Sequence, residues 1–281
     1  MVVEEKLTET PRGERGFLGF PVNTDLDSLD AHIAVLGVPY GLPYTPDDLS
    51  NDQSRAPDLL REKAQDAGWS EPRTITHFDW DLGGPILDNR DVRVVDCGNV
   101  TADFQNPREH YRRAEAAAKK IFQSGALLIS IGGDHGIPIP IMRALPADEP
   151  VTLIQIDAHM DWRDNVNGEK DGYSSPIRRA SELPFVKDIF QIGLRGVGSG
   201  REEEREAALN YGAHLISAYE MHDIGIESVL KRIPDGGRFY ITVDADGMDP
   251  TVMPAVNAPT PGGLTWLQIR EFVHGIVKKG R

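Results

Sequence analysis

Val151-Thr152-Leu153-Ile154-Gln155-Ile156-Asp157-Ala158-His159-Met160-Asp161 is the stretch that decides the fold. Its first six residues are mostly apolar and rich in β-branched side chains, the composition of a strand buried in a parallel sheet. The run delivers Asp157, His159 and Asp161 at its C-terminal end. Alternate residues of an extended chain point to one side, roughly 6.6 Å apart, so these three potential ligands are expected along one wall. The same device recurs where Phe239-Tyr240-Ile241-Thr242-Val243 runs into Asp244-Ala245-Asp246. A third strand, Ala126-Leu127-Leu128-Ile129-Ser130-Ile131, runs into Gly132-Gly133-Asp134-His135-Gly136. Ligands of open α/β sheets bind beyond the carboxyl ends of the strands. Six carboxylates and imidazoles at three strand ends therefore read as a site for two metal ions.

Working outward, residues 1–31 are polar with a short aromatic patch, Phe17-Leu18-Gly19-Phe20-Pro21, and read as an arm packed on the domain or on a neighbouring subunit. His32 to Val38 is the first convincing strand. Residues 39–55 are rich in Pro, Asp, Asn and Ser and read as a loop, one that overhangs the site and offers Tyr40, Tyr44, Thr45, Asp47 and Asp48 to a substrate. Helices are expected at Ala56 to Ala67, Pro107 to Gln123, Ile139 to Ala144, Arg201 to Tyr211, Ile226 to Ile233 and Leu267 to Lys278. The remaining strands are expected at Val92 to Val95, Ile189 to Leu194 and Ala213 to Ile216. Strand–helix alternation without a repeat or a clear linker argues one doubly wound α/β domain over residues 32–281. A helix ending in Lys-Lys-Gly-Arg should lead into another strand, so the sheet is expected to lack its last strand.

A net charge of −14 disfavours nucleic acid and anionic membranes as partners. Cys97 is the only cysteine, which precludes an intrachain disulfide and suits a reducing compartment. It sits in a buried-looking strand, VRVVDCGNV, and reads as a small core residue and not as a nucleophile. The charged N-terminus lacks the apolar centre of a signal peptide. No apolar run reaches the roughly 18 residues of a membrane helix, so a cytoplasmic protein is expected. Gly193-Leu194-Arg195-Gly196-Val197-Gly198-Ser199-Gly200 has the placement of a phosphate loop. The helix after it opens with Arg201-Glu202-Glu203-Glu204, acidic groups that suit the helix dipole and repel a phosphate.

Carboxylates with a few imidazoles suit Mn²⁺, with Ni²⁺ and Zn²⁺ competitive as nitrogen donors are added. Two cations bridged by shared aspartates hold and acidify a water. Helix capping accounts for one such cluster of aspartates but hardly for three.

GGDHG, DAHMD and DADGMDP, in this order, resemble the three signature motifs of the ureohydrolase family, which comprises arginase, agmatinase and guanidino-acid hydrolases. The similarity runs from about His32 to the end of the chain and includes Pro261-Gly262-Gly263-Leu264-Thr265. The resemblance implies an arginase-type three-layer α/β/α fold with a mainly parallel sheet. It also implies hydrolysis of a guanidino compound to urea, or a substituted urea, and an amine. It places His135, Asp157, Asp161 and Asp244 on one divalent ion, and His159, Asp157, Asp244 and Asp246 on the other, the ions being Mn²⁺ or Ni²⁺. Asp161 becomes the proton acceptor and donor to the leaving amine, and a trimer or hexamer becomes the expected assembly.

Three departures accompany the resemblance. The histidine that relatives carry shortly after DAHxD is absent from Gly172-Tyr173-Ser174-Ser175-Pro176-Ile177-Arg178-Arg179. The sequence ends before the family's guanidinium-binding glutamate, and Thr260 stands where many relatives have a glutamate. The tyrosine–serine segment resembles the agmatinase-like branch near guanidine and alkylguanidine (metformin-type) hydrolases, with Trp162, Tyr173 and Ser174 as candidate substrate contacts. The alternative is a metal-bound, non-catalytic subunit partnering a paralogous active chain.

Overall fold

The structure is a computed structural model that describes residues 5–13, 16–49, 52–66, 77–87 and 90–280. The chain forms two compact units, residues 1–145 and 146–281. Among the described residues, no helix is long and apolar enough to cross a membrane.

The first unit holds a four-stranded sheet in the order β1-β3-β2-β4, made of β1 (Thr8–Glu9), β2 (Ile33–Val38), β3 (Val94–Val100) and β4 (Leu127–Gly132). β2 runs parallel to both β3 and β4, and its Ala34, Leu36 and Val38 are fully buried. Helix α1 (Ala56–Asp66) follows the first loop, and α2 (Pro107–Gln123) begins with a proline in its first turn, where the missing N–H costs no hydrogen bond. α2 buries His110, Tyr111, Ala114, Ala117, Ala118 and Ile121, the three-and-four spacing of one helical face. The short α3 (Pro138–Arg143) follows β4.

The expected strand at Val92 to Val95 lies at Val94–Val100 instead. Its second half carries the polar residues Asp96 and Asn99, and Arg61 of α1 explains why a buried strand can hold them. The Arg61 guanidinium donates to both Asp96 carboxylate oxygens at 2.8 Å and to Asn99 Oδ1 at 2.6 Å. Both partners of the ion pair are fully buried. Residues 5–13 and 16–31 pack on this same unit: β1 pairs antiparallel with β3, and the Phe17 amide donates to Asp96 at 2.6 Å. Cys97 is fully buried, and burial pushes its thiol up to about 12, as befits a core residue. Tyr40 is 2% exposed, stacks on His110 at 3.9 Å and accepts the Asp103 amide through its hydroxyl. Its expected place over a substrate is therefore corrected: the ring belongs to the core of this unit.

The second unit holds an all-parallel sheet in the order β7-β6-β5-β8: β5 (Val151–Ile156), β6 (Val186–Leu194), β7 (His214–Ser217) and β8 (Arg238–Val243). β5 is buried along its whole length, as its apolar run predicts. Helices α4 (Pro176–Ser181), α5 (Glu202–Tyr211), α6 (Ala218–Ile224), α7 (Ile226–Leu230) and α8 (Trp266–Lys279) complete the unit. The core joins Ile154, Ile156, Phe190 and Ile192 of the sheet to Met221, Val229, Ile269, Phe272 and Ile276 of the helices. α8 starts at a capping box in which Thr265 and Gln268 satisfy each other's backbone amides. α4 and α6 were not anticipated, because one or two turns are too short for a helical period to show.

Candidate metal centre

Strand register brings the acidic motifs of the second unit together. Ile156 pairs with Val243, so Asp157 and Asp244 leave neighbouring parallel strands side by side, and the Asp244 amide donates to the Ile156 carbonyl at 2.9 Å. The Asp244 carboxylate then caps a tight turn, accepting the Asp246 amide at 3.0 Å. That turn swings Asp246 back to accept the Ala158 amide at 3.1 Å. Gly247 permits the crossing: a Cβ there would lie 2.8 Å from the Asp157 nitrogen.

β5 stops at Ile156, so Asp157, His159 and Asp161 are not alternate residues of an extended strand. The expected wall is built by a turn. Asp157 Oδ1 accepts the His159 amide at 2.6 Å and folds the chain over. His159 Nδ1 thereby comes to 3.1 Å from Asp246 Oδ2 and 3.5 Å from Asp157 Oδ1. Asp157, His159 and Asp246 each present one ligand atom, all within 4.8 Å of one another. Hydrogen bonding to Asp157 and then to Asp246 raises the imidazole to about 10. With Asp157 and Asp246 buried, the cluster favours a positive charge at its centre. Two carboxylates and one imidazole also match the donor preferences of Mn²⁺, Ni²⁺ and Zn²⁺. A divalent cation held by these three groups would supply that positive charge.

Asp161 adopts the left-handed conformation, with φ of 56°, at a cost of about 1–2 kcal/mol for a residue with a Cβ. Its carbonyl accepts the amides of Ile177 and Arg178 at 3.2 and 3.1 Å, in the first turn of α4. The side chain is thus held at 9% exposure by a strained backbone, a pattern common at functional positions. His135 belongs to the first unit, on the loop after β4. There Asp134 fixes the loop by accepting the Gly41 and Gly136 amides at 2.8 and 2.7 Å.

Trp162 is 2% exposed, with its indole nitrogen donating to Gln191 at 2.6 Å. It also borders a cavity of about 370 Å³ lined by Arg163, Asp164, Arg178 and Glu204 among others. Tyr173 is 37% exposed, and the Ser174 carbonyl accepts the Arg163 amide at 3.0 Å. Arg179 pairs with Asp164 and Glu182, both at 3.0 Å. His214 stacks on Phe190, and His222 contacts the Gly262 carbonyl and Gln268.

Three further residues shape the site without having been singled out. Gln155 and Gln191 are fully buried amides on adjacent strands, and a polar side chain inside an apolar strand was the available signal. Arg195 is 5% exposed and donates to the carbonyls of Gly193, Asp246, Gly247, Met248 and Thr260 at 2.6–3.2 Å. Its glycine-rich segment serves close packing: Gly193, at φ of 102°, passes against the Asp157 carbonyl.

A parallel α/β sheet carrying carboxylates and an imidazole beyond its strand ends defines an α/β protein with a candidate cation site. A sequence model of the arginase family matches residues 31–281. Guanidinopropionase of Pseudomonas aeruginosa is 31% identical over 191 residues, 66% of this chain but only 60% of that protein. Guanidinobutyrase of the same organism is 30% identical over 257 residues, 89% of this chain and 76% of its own length. Proclavaminate amidino hydrolase from Streptomyces clavuligerus superposes with a TM-score of 0.78 at 21% identity, covering 99% of this chain and 88% of that one, which shows the fold. The chain belongs to the arginase family and has the arginase-type α/β/α fold.

Proposed function

We propose that the chain is a metal-dependent hydrolase of a small guanidino compound, of agmatine, guanidino-acid, guanidine or alkylguanidine type. It would release urea, or a substituted urea, and an amine. The single observation that carries this reading is the Asp157–His159–Asp246 cluster, built by strand register and a tight turn. Motif correspondence extends the ligand set to His135, Asp157, Asp161 and Asp244 for one divalent ion and His159, Asp157, Asp244 and Asp246 for the other, with Mn²⁺ and Ni²⁺ as the ions. Bound there, the ions would supply an acidified water and neutralise developing charge.

The protein's own groups do the rest. Asp161, held rigid by the first turn of α4, accepts a proton and returns it to the leaving amine. Aspartates around the site attract a cationic guanidinium. Trp162, Tyr173 and Ser174 are the substrate contacts proposed for the following segment. A single domain over residues 32–281, a trimer or hexamer and a cytoplasmic setting belong to the same proposal. The non-catalytic subunit is set aside, because nothing in a merely stabilising role requires aspartates and a histidine to converge at such desolvation cost.

The test is urea release from a panel of guanidino compounds by the chain loaded with Mn²⁺ or Ni²⁺. Turnover of one member, abolished by Asp161→Asn, supports the reading. Absence of turnover across the panel with both metals bound overturns it.

A further inference from the structure

We infer that Trp162, Gln191 and Gln155 form a polarised hydrogen-bond relay that orients the Asp157 carboxylate, making Gln155 and Gln191 positioning residues for metal binding. The inference rests on the reading of Asp157 as a metal ligand.

Gln155 and Gln191 face each other across β5 and β6, both fully buried, between Trp162 and Asp157. The Trp162 indole N–H donates to Gln191 Oε1 at 2.6 Å. Gln191 Nε2 donates to the Met160 carbonyl at 2.7 Å and to Gln155 Oε1. Gln155 Nε2 donates to Asp157 Oδ2 at 2.7 Å and approaches the His159 carbonyl at 3.4 Å.

An isolated amide can flip and exchange its donor and acceptor ends. These two cannot. An indole N–H only donates and a carbonyl only accepts, so Trp162 and Met160 together fix which end of Gln191 is oxygen. The Gln191 donor then meets the Gln155 oxygen, and the Gln155 donor is left facing the carboxylate. Every link lies in the interior, where hydrogen bonds are electrostatically strong and an unsatisfied member is costly.

Asp157 is consequently held at both oxygens, Oδ2 by Gln155 and Oδ1 by the His159 amide. Its plane cannot rotate about the terminal torsion without breaking one of them. A ligand held in its binding orientation loses little freedom when the cation arrives. Trp162, next to Asp161 in sequence, thereby acquires a role in the site that does not require contact with a substrate.

The experiment is calorimetric titration of the full metal-free chain with Mn²⁺, with thermal unfolding of the same metal-free samples. Gln155→Leu and Gln191→Leu should each weaken binding about 10- to 100-fold. The double variant should be no weaker than the worse single, because both act through one chain of bonds. Trp162→Phe, which keeps most of the packing and removes only the donor, should weaken binding about 3- to 10-fold. If a leucine variant fails to fold, Gln155→Met and Trp162→Phe carry the same comparison. Additive losses in the double variant, or wild-type affinity in Gln155→Met and Trp162→Phe, overturn the relay. Wild-type protein that takes up neither Mn²⁺ nor Ni²⁺ overturns the metal reading instead, and His159→Ala serves as the reference variant that should lose binding.

Discussion

Replacing Arg195 by methionine tests how the Asp246 turn is held. The guanidinium sits at 5% exposure, and burial draws its pKa below the usual arginine value. Its bonds reach five carbonyls, three of them on consecutive residues Asp246, Gly247 and Met248, at 2.6, 3.2 and 3.1 Å. The others lie on Gly193 and Thr260. A buried carbonyl that loses its partner costs about 1–3 kcal/mol. Several would be stranded at once, but methionine also relieves the cost of burying a charge, an opposing effect of several kcal/mol. The net expectation is a destabilisation of about 3 kcal/mol, measured by urea unfolding of the metal-free chain. Lysine offers three donors on a tetrahedral head and cannot span the carbonyls as the planar fork does, so Arg195→Lys should lose about half as much. Because the turn carries Asp246, Mn²⁺ affinity should fall about 10-fold or more in the methionine variant. Unfolding within about 0.5 kcal/mol of wild type, the range of an ordinary surface substitution, together with unchanged Mn²⁺ affinity, would refute the clamp.

Arg61→Met should cost about 3–5 kcal/mol in urea unfolding, because it leaves the Asp96 charge at zero exposure without its cation; Arg61→Met/Asp96→Leu should recover only part of that loss, since leucine strands the Phe17 and Gly98 amides that the carboxylate accepts. Gly247→Ala should abolish tight Mn²⁺ uptake, since the new Cβ meets the Asp157 backbone at 2.8–3.0 Å and neither chain can yield cheaply. His110 is held at about 4, chiefly by burial, although the Thr101 and Tyr40 carbonyls pull it upward. An exposed imidazole titrates near 6.5, so between these values the unfolded chain binds a proton that the folded chain refuses. The contribution of His110 to stability is therefore complete above about pH 6.5 and declines toward pH 4, by up to about 3 kcal/mol. Urea unfolding at pH 7.5 and pH 5 should show a shallower fall for His110→Gln than for wild type, and equal falls would contradict the assignment.

Legibility from sequence followed the physics of each element. β5 and α2 were placed to the residue, because a continuous buried run and a proline-started amphipathic helix leave strong periodic signals. β3 was legible as a buried strand around Cys97, but why it carries Asp96 and Asn99 shows only once Arg61, 35 and 38 residues away in sequence, is seen to bond them. The aspartates and His159 were legible as strand-end motifs. Their geometry was not, since the Asp157–His159 turn and the left-handed Asp161 arise from local backbone bonding and not from strand alternation. Gln155, Gln191 and Arg195 escaped notice because each also works through partners distant in sequence, Gln191 for Gln155 and the 246–248 and Thr260 carbonyls for Arg195. The glycines around Arg195 resembled a phosphate loop for a related reason: close backbone approach calls for glycine whether the neighbour is a phosphate or the Asp157 carbonyl.

The most direct measurement is the metal content of the purified chain after dialysis against Mn²⁺ or Ni²⁺, taken beside His159→Ala and Asp246→Ala. The account predicts two ions per wild-type chain, with at least one lost in each variant. Wild-type protein that emerges without metal, or variants that keep the full complement, would contradict it.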